Sequence, residues 1–187
     1  TVTGGGTYYA SDVTITATIS GIKAEYKLHL TCFTGLPVLR IETPNRQSVW
    51  SKDVWVEGSK LWLDGMARFD DIEGVEMAIR GRGNSTWGYE KKPYNIKLKE
   101  KADLFGMGEA KSWCLLANYR DLSYVRNAMV FDYALAMGVE NTTDTQSFDL
   151  YVNGEYQGLY QMTEKVEIGK NRLDVPDIEE ENELGNP

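Results

Sequence analysis

Residues 80 to 98 read Arg80-Gly81-Arg82-Gly83-Asn84-Ser85-Thr86-Trp87-Gly88-Tyr89-Glu90-Lys91-Lys92-Pro93-Tyr94-Asn95-Ile96-Lys97-Leu98. A glycine-rich loop lies here between two strand-like runs, residues 75–79 and residues 94–98. Glycine lets backbone N–H groups approach an anion closely, and arginine and lysine side chains complete such a site. The segment therefore predicts either a phosphate-binding loop or a tight, solvated turn between basic strands, and taken alone it favours the turn.

Charge is distributed unevenly along the chain. The net charge is −8, yet residues 80–101 hold seven basic residues against Glu90 and Glu100. Six acidic residues after Arg172 account for all but two of the net negative charges: Asp174, Asp177, Glu179, Glu180, Glu181 and Glu183. A positive island on a mildly negative body favours a small anionic ligand over nucleic acid, which needs a broader basic surface. We expect residues 176–187 to form an acidic, mobile tail.

Length and composition limit the class of protein. The 187 residues suit one good-sized domain, or one domain with part of another. No apolar run is long enough to span a membrane, so we expect no membrane insertion of this chain. No signal peptide stands at its start, and we expect a piece cut from a larger protein. Cys32 and Cys114 each lie in an alternating apolar run on the inward phase, which favours buried thiols over a disulfide.

The first part of the chain predicts a β-hairpin. Val13 to Ile19 and Tyr26 to Cys32 alternate apolar and polar residues, and Gly21 lies near the turn between them. Gly35-Leu36-Pro37 then marks a boundary. We therefore interpret residues 1–35 as a β-rich extension or as the end of an upstream β-domain.

The pattern continues with strands and one helix. Strands are predicted at residues 38–41, 54–56, 61–63, 75–79, 94–98 and 113–117. A helix follows from about Ser123 to Met137, with Asp121 or Ser123 as its cap and Gly138 at its end. The predicted class is α+β, a mainly antiparallel sheet with one principal helix, preceded by the hairpin segment.

The clearest turn in the chain is Asn153-Gly154, between residues 148–152 and residues 155–162. Asparagine followed by glycine between two apolar-rich runs is the strongest short-range signal for a two-residue hairpin. The resulting order of elements resembles the small lobe of a protein kinase. In such a lobe the hairpin pairs with the strand at residues 113–117, and the helix covers one face of the sheet. The loop, however, is not the G-x-G-x-x-G of ordinary kinases, and no Asp-Phe-Gly is present.

Several ordered blocks resemble the spore-coat protein H (CotH) kinase family. They are residues 80–87, 91–98, 115–119, Arg126-Asn127, 150–160, Thr163-Glu164-Lys165 and Lys170-Asn171-Arg172. The similarity covers roughly residues 36–175, and the ordered set is more specific than any single motif. The resemblance implies a CotH-like small lobe over residues 36–175. It also suits an immunoglobulin-like module that ends within residues 1–35.

The resemblance implies an atypical kinase that uses ATP with Mg²⁺ to phosphorylate serine in proteins. It implies a serine-rich protein substrate and a secreted or cell-surface location in bacteria. The family places its catalytic and metal-binding aspartates in a large lobe, which is expected beyond Pro187. The chain is therefore interpreted as a truncated domain that holds no metal site and transfers no phosphate by itself.

Nine residues are candidate nucleotide contacts: Arg80, Arg82, Gly83, Asn84, Ser85, Lys97, Arg126, Met162 and Glu164. We expect the loop and Lys97 to face one cleft, Arg126 to orient them, and Met162 and Glu164 to line the adenine pocket. Each has a structural alternative, namely a tight turn, a solvent-facing lysine, a helix hydrogen bond or a strand end. The alternative function is a non-catalytic β-rich surface module that binds glycan or protein, with Trp50, Trp55 and Trp62 as its candidate platform.

Overall fold

A computed structural model describes residues 2–3, 11–30, 34–169 and 172–175. The chain divides into two compact units, Thr1–Gly35 and Leu36–Pro187, and each is described by itself. Cys32 and the predicted acidic tail, residues 176–187, lie outside the described residues.

The described residues of the first unit form a three-stranded antiparallel sheet made of β1 (Val2–Thr3), β2 (Ser11–Ile19) and β3 (Ile22–Leu30). Strands β2 and β3 form the predicted hairpin, in which Ile19 pairs with Ile22 across the turn. Ser20 and Gly21 there have positive φ angles of 50° and 80°. Apolar residues lie opposite one another across this hairpin because the two strands alternate in phase.

The second unit contains seven strands and one α-helix in its described part. In chain order these are β4 (Val38–Glu42), β5 (Val56–Asp64), β6 (Ile72–Gly81), β7 (Tyr94–Asp103), β8 (Glu109–Leu116), α1 (Arg126–Ala136), β9 (Thr145–Val152) and β10 (Glu155–Glu164). The strands form a closed barrel in the order β10-β8-β7-β6-β5-β4-β9. Every neighbouring pair is antiparallel except β4 with β9, which is parallel and completes the circle.

The predicted α+β class, a sheet covered by a helix as in a kinase small lobe, is wrong. The unit is mostly β, and the sheet closes on itself. Helix α1 has no buried residue; Met129 is 64% and Tyr133 69% exposed. A closed barrel buries the inner face of its own sheet, so no helix is needed to cover that face. The predicted pairing of the Asn153-Gly154 hairpin with the strand before the helix is confirmed by the β10–β8 ladder.

The barrel interior holds the core. Its fully buried side chains alternate along the strands with outward ones, as a period of two requires. They include Leu39, Ile41, Leu61, Ile79, Ile96, Leu98, Trp113, Leu115, Phe148, Leu150, Tyr160 and Met162. Burying each large apolar side chain contributes about 1.5–3 kcal/mol. The core therefore determines which face of each strand remains for contacts outside the barrel.

Cys114 is a buried free thiol, as predicted, but its phase is different from the expected one. Its neighbours Trp113 and Leu115 are fully buried in the core, so Cys114 lies on the outer phase of β8. There the Sγ lies 3.4 Å from Asn95 Oδ1. Burial raises the pKa of this thiol, which favours its neutral form.

The Asn153-Gly154 turn joins β9 to β10 and also helps to close the barrel. Asn153 and Gly154 have φ angles of 53° and 80°, as the predicted two-residue turn requires. The Asn153 side chain reaches Thr43, 110 residues earlier, and accepts a hydrogen bond of 2.9 Å from the Thr43 N–H at Oδ1. The turn residue Asn153 thus also links the C-terminal ends of the parallel strands β4 and β9.

Candidate functional site

A basic cleft of about 560 Å³ lies on the outer face of β6, β7 and β8. Residues 165 and 167–169, which follow β10, form its rim. Among the described residues its charged lining consists of five basic and two acidic side chains: Arg80, Lys97, Lys101, Lys111, Lys165, Glu109 and Glu167. We call this the basic cleft. Its excess of positive charge favours an anionic ligand.

Strand register brings these cations together. Arg80 pairs with Asn95 across β6 and β7, and Lys97 pairs with Ser112 across β7 and β8. All four residues line the basic cleft. Because Ile79 and the other inward residues occupy the core phase, the polar residues between them face outward.

Arg80 is held by an aromatic contact. Its guanidinium lies 4.5 Å from the centroid of the Trp55 ring, which is close enough for a cation–π interaction. Its Nε is buried and has no hydrogen-bond partner among the described residues. A buried donor without a partner is uncommon and suits a site at which an anion completes the hydrogen bonding.

Lys97 is exposed at the edge of the same cleft. In the described part of the chain no carboxylate forms an ion pair with it, whereas Lys99 pairs with Glu76 at 2.7 Å. Lys97 and Lys99 lie two residues apart in β7 and share one phase of the strand, but their surroundings differ. Lys97 is thus the one whose charge remains available to a ligand.

A second, smaller cleft of about 240 Å³ lies between the loop after β6 and the segment after β8. We call it the loop cleft. Its basic side chains are Arg82, Lys91 and Arg120, and Asp121 is the acidic one. The loop that carries Arg82 is therefore divided from Arg80 and Lys97, so the expectation of one shared cleft does not hold in the structure.

Lys91 anchors the loop to the barrel. Its ammonium donates a hydrogen bond to the Leu159 carbonyl and lies 4.5 Å and 4.6 Å from the ring centroids of Tyr124 and Tyr160. The Tyr160 hydroxyl donates to the Lys92 carbonyl at 2.7 Å. Burial lowers the pKa of Lys91 from 10.5 to about 8. These contacts keep the end of the loop in place against β10.

Three predicted loop contacts form a tight turn. Gly83 has a φ of 83°, which favours glycine, and the Asn84 carbonyl accepts a 3.3 Å hydrogen bond from the Trp87 N–H. Ser85 begins a short 3₁₀ helix, Ser85–Gly88. Gly83, Asn84 and Ser85 are exposed and line neither the basic cleft nor the loop cleft.

The remaining three candidates lie in different places. The Arg126 backbone N–H, the first of α1, donates to Asp121 Oδ2 at 3.0 Å, but the N-cap residue is Val125 and its side chain makes no cap hydrogen bond, so the predicted N-cap at Asp121 or Ser123 is wrong. Met162 is fully buried in the barrel core. Glu164 pairs with Arg172 at 2.5 Å, and that guanidinium lies 4.3 Å from the ring centroid of Trp113. None of the three side chains lines the basic cleft.

Sequence reasoning missed several residues of the basic cleft. Lys101, Lys111 and Lys165 line it, as does Trp55 beneath Arg80, and the sequence singled out Trp55 only for the alternative glycan or protein platform. Lys101 had only a partial signal, since it shares the alternating phase of Lys97 on β7 but so does Lys99, which does not line the basic cleft. Lys111 and Lys165 had none, because only the pairing of β7 with β8 and of β8 with β10 brings them close.

Part of the chain matches a known protein family. A family model described as CotH kinase protein matches residues 79–184. The matched range begins in β6 just before the glycine-rich loop, and it contains the described residues of both clefts except Trp55. Comparison with curated proteins gave no match. In the described residues no helix is long and apolar enough to cross a membrane.

Proposed function

The chain belongs to the CotH kinase protein family, and we propose that it provides the nucleotide-binding side of an atypical protein kinase. In this proposal ATP, bound with Mg²⁺, supplies a phosphoryl group to a serine hydroxyl of a serine-rich protein. We further propose a secreted or cell-surface location in a bacterium, with residues 1–35 as the end of an immunoglobulin-like module. Residues 36–175 are the CotH-like part of the chain in this proposal.

The basic cleft is the observation that carries the proposal. It gathers five cations against two carboxylates in a chain whose net charge is −8. Phosphoryl transfer is catalysed mainly by positioning and by electrostatic stabilisation of the phosphates, so a preformed cationic cleft is the feature such a protein needs. Its volume of about 560 Å³ lies within the range of roughly 300–1,000 Å³ that is typical of small-molecule sites.

Individual residues in the cleft take distinct roles in the proposal. Arg80, fixed over Trp55 and with an unpartnered Nε, and Lys97, with its exposed ammonium, bind the phosphates. Ile168, which is 49% exposed on the rim, offers an apolar surface to the base. Ile168 thus adds an apolar contact to a cleft whose charged lining is mainly basic.

The described residues provide no evident metal site. No group of three or more His, Cys, Asp or Glu side chains within them could hold a metal ion. Because Mg²⁺ prefers oxygen ligands and several are needed, we assign it to no residue of the described part. Mg²⁺ therefore enters the proposal only as the ion bound to ATP.

The test is an NMR titration of the ¹⁵N-labelled chain with MgATP, tripolyphosphate and adenosine. We expect MgATP and tripolyphosphate to shift the amide signals of residues 95–97 and 110–112, and MgATP and adenosine to shift those of 167–169. Lys97→Ala should weaken the binding of tripolyphosphate by about two- to five-fold, because an exposed charge contributes only about 0.5–1 kcal/mol.

Lys60→Ala is the matched control, since Lys60 is an exposed strand lysine that does not line the basic cleft. It should leave the affinity unchanged. If no polyphosphate shifts the cleft signals, or if Lys60→Ala weakens binding as much as Lys97→Ala, the nucleotide site is wrong. The alternative, a surface module that binds glycan or protein, is then favoured.

A further inference from the structure

We propose that the loop cleft binds an anionic side chain of a polypeptide, either a glutamate or a phosphorylated serine. This site is separate from the basic cleft and does not depend on the nucleotide proposal. Its positive lining comes from Arg82, Lys91 and Arg120. Within the described residues Arg82 and Arg120 have no carboxylate partner, the cleft is small, and exposed apolar side chains follow Asp121 in the chain.

The two arginines are the available cations. No carboxylate in the described part of the chain forms an ion pair with either Arg82 or Arg120. The Arg120 guanidinium lies 4.8 Å from the ring centroid of Tyr89, and Tyr89 stacks on Tyr119 at 5.2 Å. This cation–π contact holds the guanidinium in place, and its N–H groups can bind a carboxylate or phosphate in parallel pairs.

The acidic residue of the cleft does not compete for that role. Asp121 Oδ1 accepts hydrogen bonds from the Ser123 hydroxyl at 2.6 Å and from the Ser123 N–H at 3.1 Å. Its Oδ2 accepts the Arg126 N–H, and these bonds lower the pKa of Asp121, the one from the Ser123 hydroxyl most strongly. The carboxylate is therefore committed to the helix start, and the positive charge of the cleft is left to a ligand.

The dimensions of the cleft favour a side chain over a whole small molecule. Its volume of about 240 Å³ is below the roughly 300–1,000 Å³ of typical small-molecule pockets. A chain of amide hydrogen bonds supports it: Asn127 donates to Asn118 at 2.9 Å, and Asn118 donates to the buried Gln161 at 2.9 Å. A recess of this size can accept a carboxylate or phosphate while the peptide backbone stays outside.

Exposed apolar side chains are found at the lining residue Tyr119 and at residues that closely follow it in sequence. Tyr119, in its lining, is 40% exposed, and Leu122 and Val125, which follow Asp121, are 93% and 47% exposed. Flanking apolar residues of a bound peptide can pack on them, which a free anion cannot do. A polypeptide therefore suits this surface better than free phosphate does.

The experiment is an NMR titration of the full 187-residue chain, without nucleotide, with four probes. They are the peptides Ac-Gly-Leu-X-Leu-Gly-NH₂ with X as phosphoserine, glutamate or serine, and inorganic phosphate. We expect the phosphoserine and glutamate peptides to shift the amide signals of residues 82 and 118–121 and to leave those of residues 97 and 112 in place. The tighter of the two identifies the anion that the cleft prefers.

Substitutions assign the binding to the cleft. Arg82→Gln and Arg120→Gln should each weaken the binding of the two anionic peptides by about three-fold or more. If one variant fails to fold, the other is sufficient for the test. Arg68→Gln, at an exposed arginine elsewhere in the unit, should have no effect. The proposal is overturned if the serine peptide binds equally well, if no peptide binds, if Arg68→Gln weakens binding as much, or if inorganic phosphate binds as tightly as the phosphopeptide.

Discussion

Replacing Asn153 should destabilise the barrel, because this residue links the strands β4 and β9 where they close it. The Thr43 N–H donates to Asn153 Oδ1 at 2.9 Å, and Asn153 Nδ2 donates to the Thr43 hydroxyl oxygen at 3.0 Å. That hydroxyl in turn donates to the Gln47 carbonyl at 2.6 Å. Thr43 is only 5% exposed, so water cannot easily replace the lost partners.

The size of the effect follows from these contacts. Asn153→Gly keeps the positive φ at no steric cost and removes the side chain with its amide, and the added freedom of glycine in the unfolded chain is matched in the control below. Leaving the buried Thr43 N–H unpaired costs about 1–3 kcal/mol, and the lost Nδ2 bond costs about 0.5–1.5 kcal/mol. We expect Asn153→Gly to lower the free energy of unfolding by about 2–4 kcal/mol, a large part of the roughly 5–15 kcal/mol of a typical domain.

Two further variants separate the contributions. Asn153→Asp keeps an acceptor for the Thr43 N–H and should lower the free energy of unfolding by only about 1 kcal/mol. Asn153→Ala should be less stable than Asn153→Gly by about 1–2 kcal/mol, because its Cβ is strained at positive φ. The control is Asn141→Gly, since Asn141 also has a positive φ but is exposed and makes no side-chain hydrogen bond to another described residue.

Urea unfolding followed by tryptophan fluorescence measures these differences. All five tryptophans lie in the second unit, so the signal reports on the barrel. If Asn153→Gly and Asn141→Gly have the same free energy of unfolding, within about 0.5 kcal/mol, the amide bridge to Thr43 does not stabilise the closure and the reasoning fails.

Two other predictions concern the loop. Gly83→Ala should lower the Tm by several degrees, because φ is 83° there and the new Cβ would lie 2.0 Å from Thr86 Oγ1. Gly88→Ala is the control and should leave the Tm unchanged, because the space at its Cβ is open. Equal Tm values for the two variants would show that Gly83→Ala introduces no strain. Lys91 should titrate by NMR with a midpoint near pH 8, since burial lowers its pKa from 10.5 to about 8. Between pH 8 and 10.5 the unfolded chain then binds more protons at Lys91 than the folded chain does, so this lysine makes the stability rise with pH in that window. A midpoint above about pH 10 would instead show that the Lys91 amine is fully solvated.

Local signals in the sequence were sufficient for much of the secondary structure. The turn at Asn153-Gly154, the hairpin at Gly21 and the alternation of Ile96 with Lys97 each depend on a few neighbouring residues, and the structure confirms all three. The predicted helix is also present, as α1 (Arg126–Ala136). Its predicted role was wrong, because an apolar helix pattern does not show which surface, if any, the helix covers.

The candidate site was only partly accessible to sequence reasoning. Arg80 and Lys97 were selected from one basic segment, and they do share a cleft. Arg82 was selected with them but lies in the other cleft. Met162 and Glu164 were expected beside the ligand, whereas one lies in the core and the other pairs with Arg172.

The sequence by itself determined the family, the strands with their inward and outward faces, and the tight turns, because each of these depends on residue type and short spacing. Only the tertiary structure decided that β4 pairs with β9 to close a barrel, and that Lys111 and Lys165 join Arg80 and Lys97. A period of two specifies the face on which a side chain lies, but not the strand beside it or the register between them. Those depend on contacts between residues as far apart as Thr43 and Asn153, which no local pattern records.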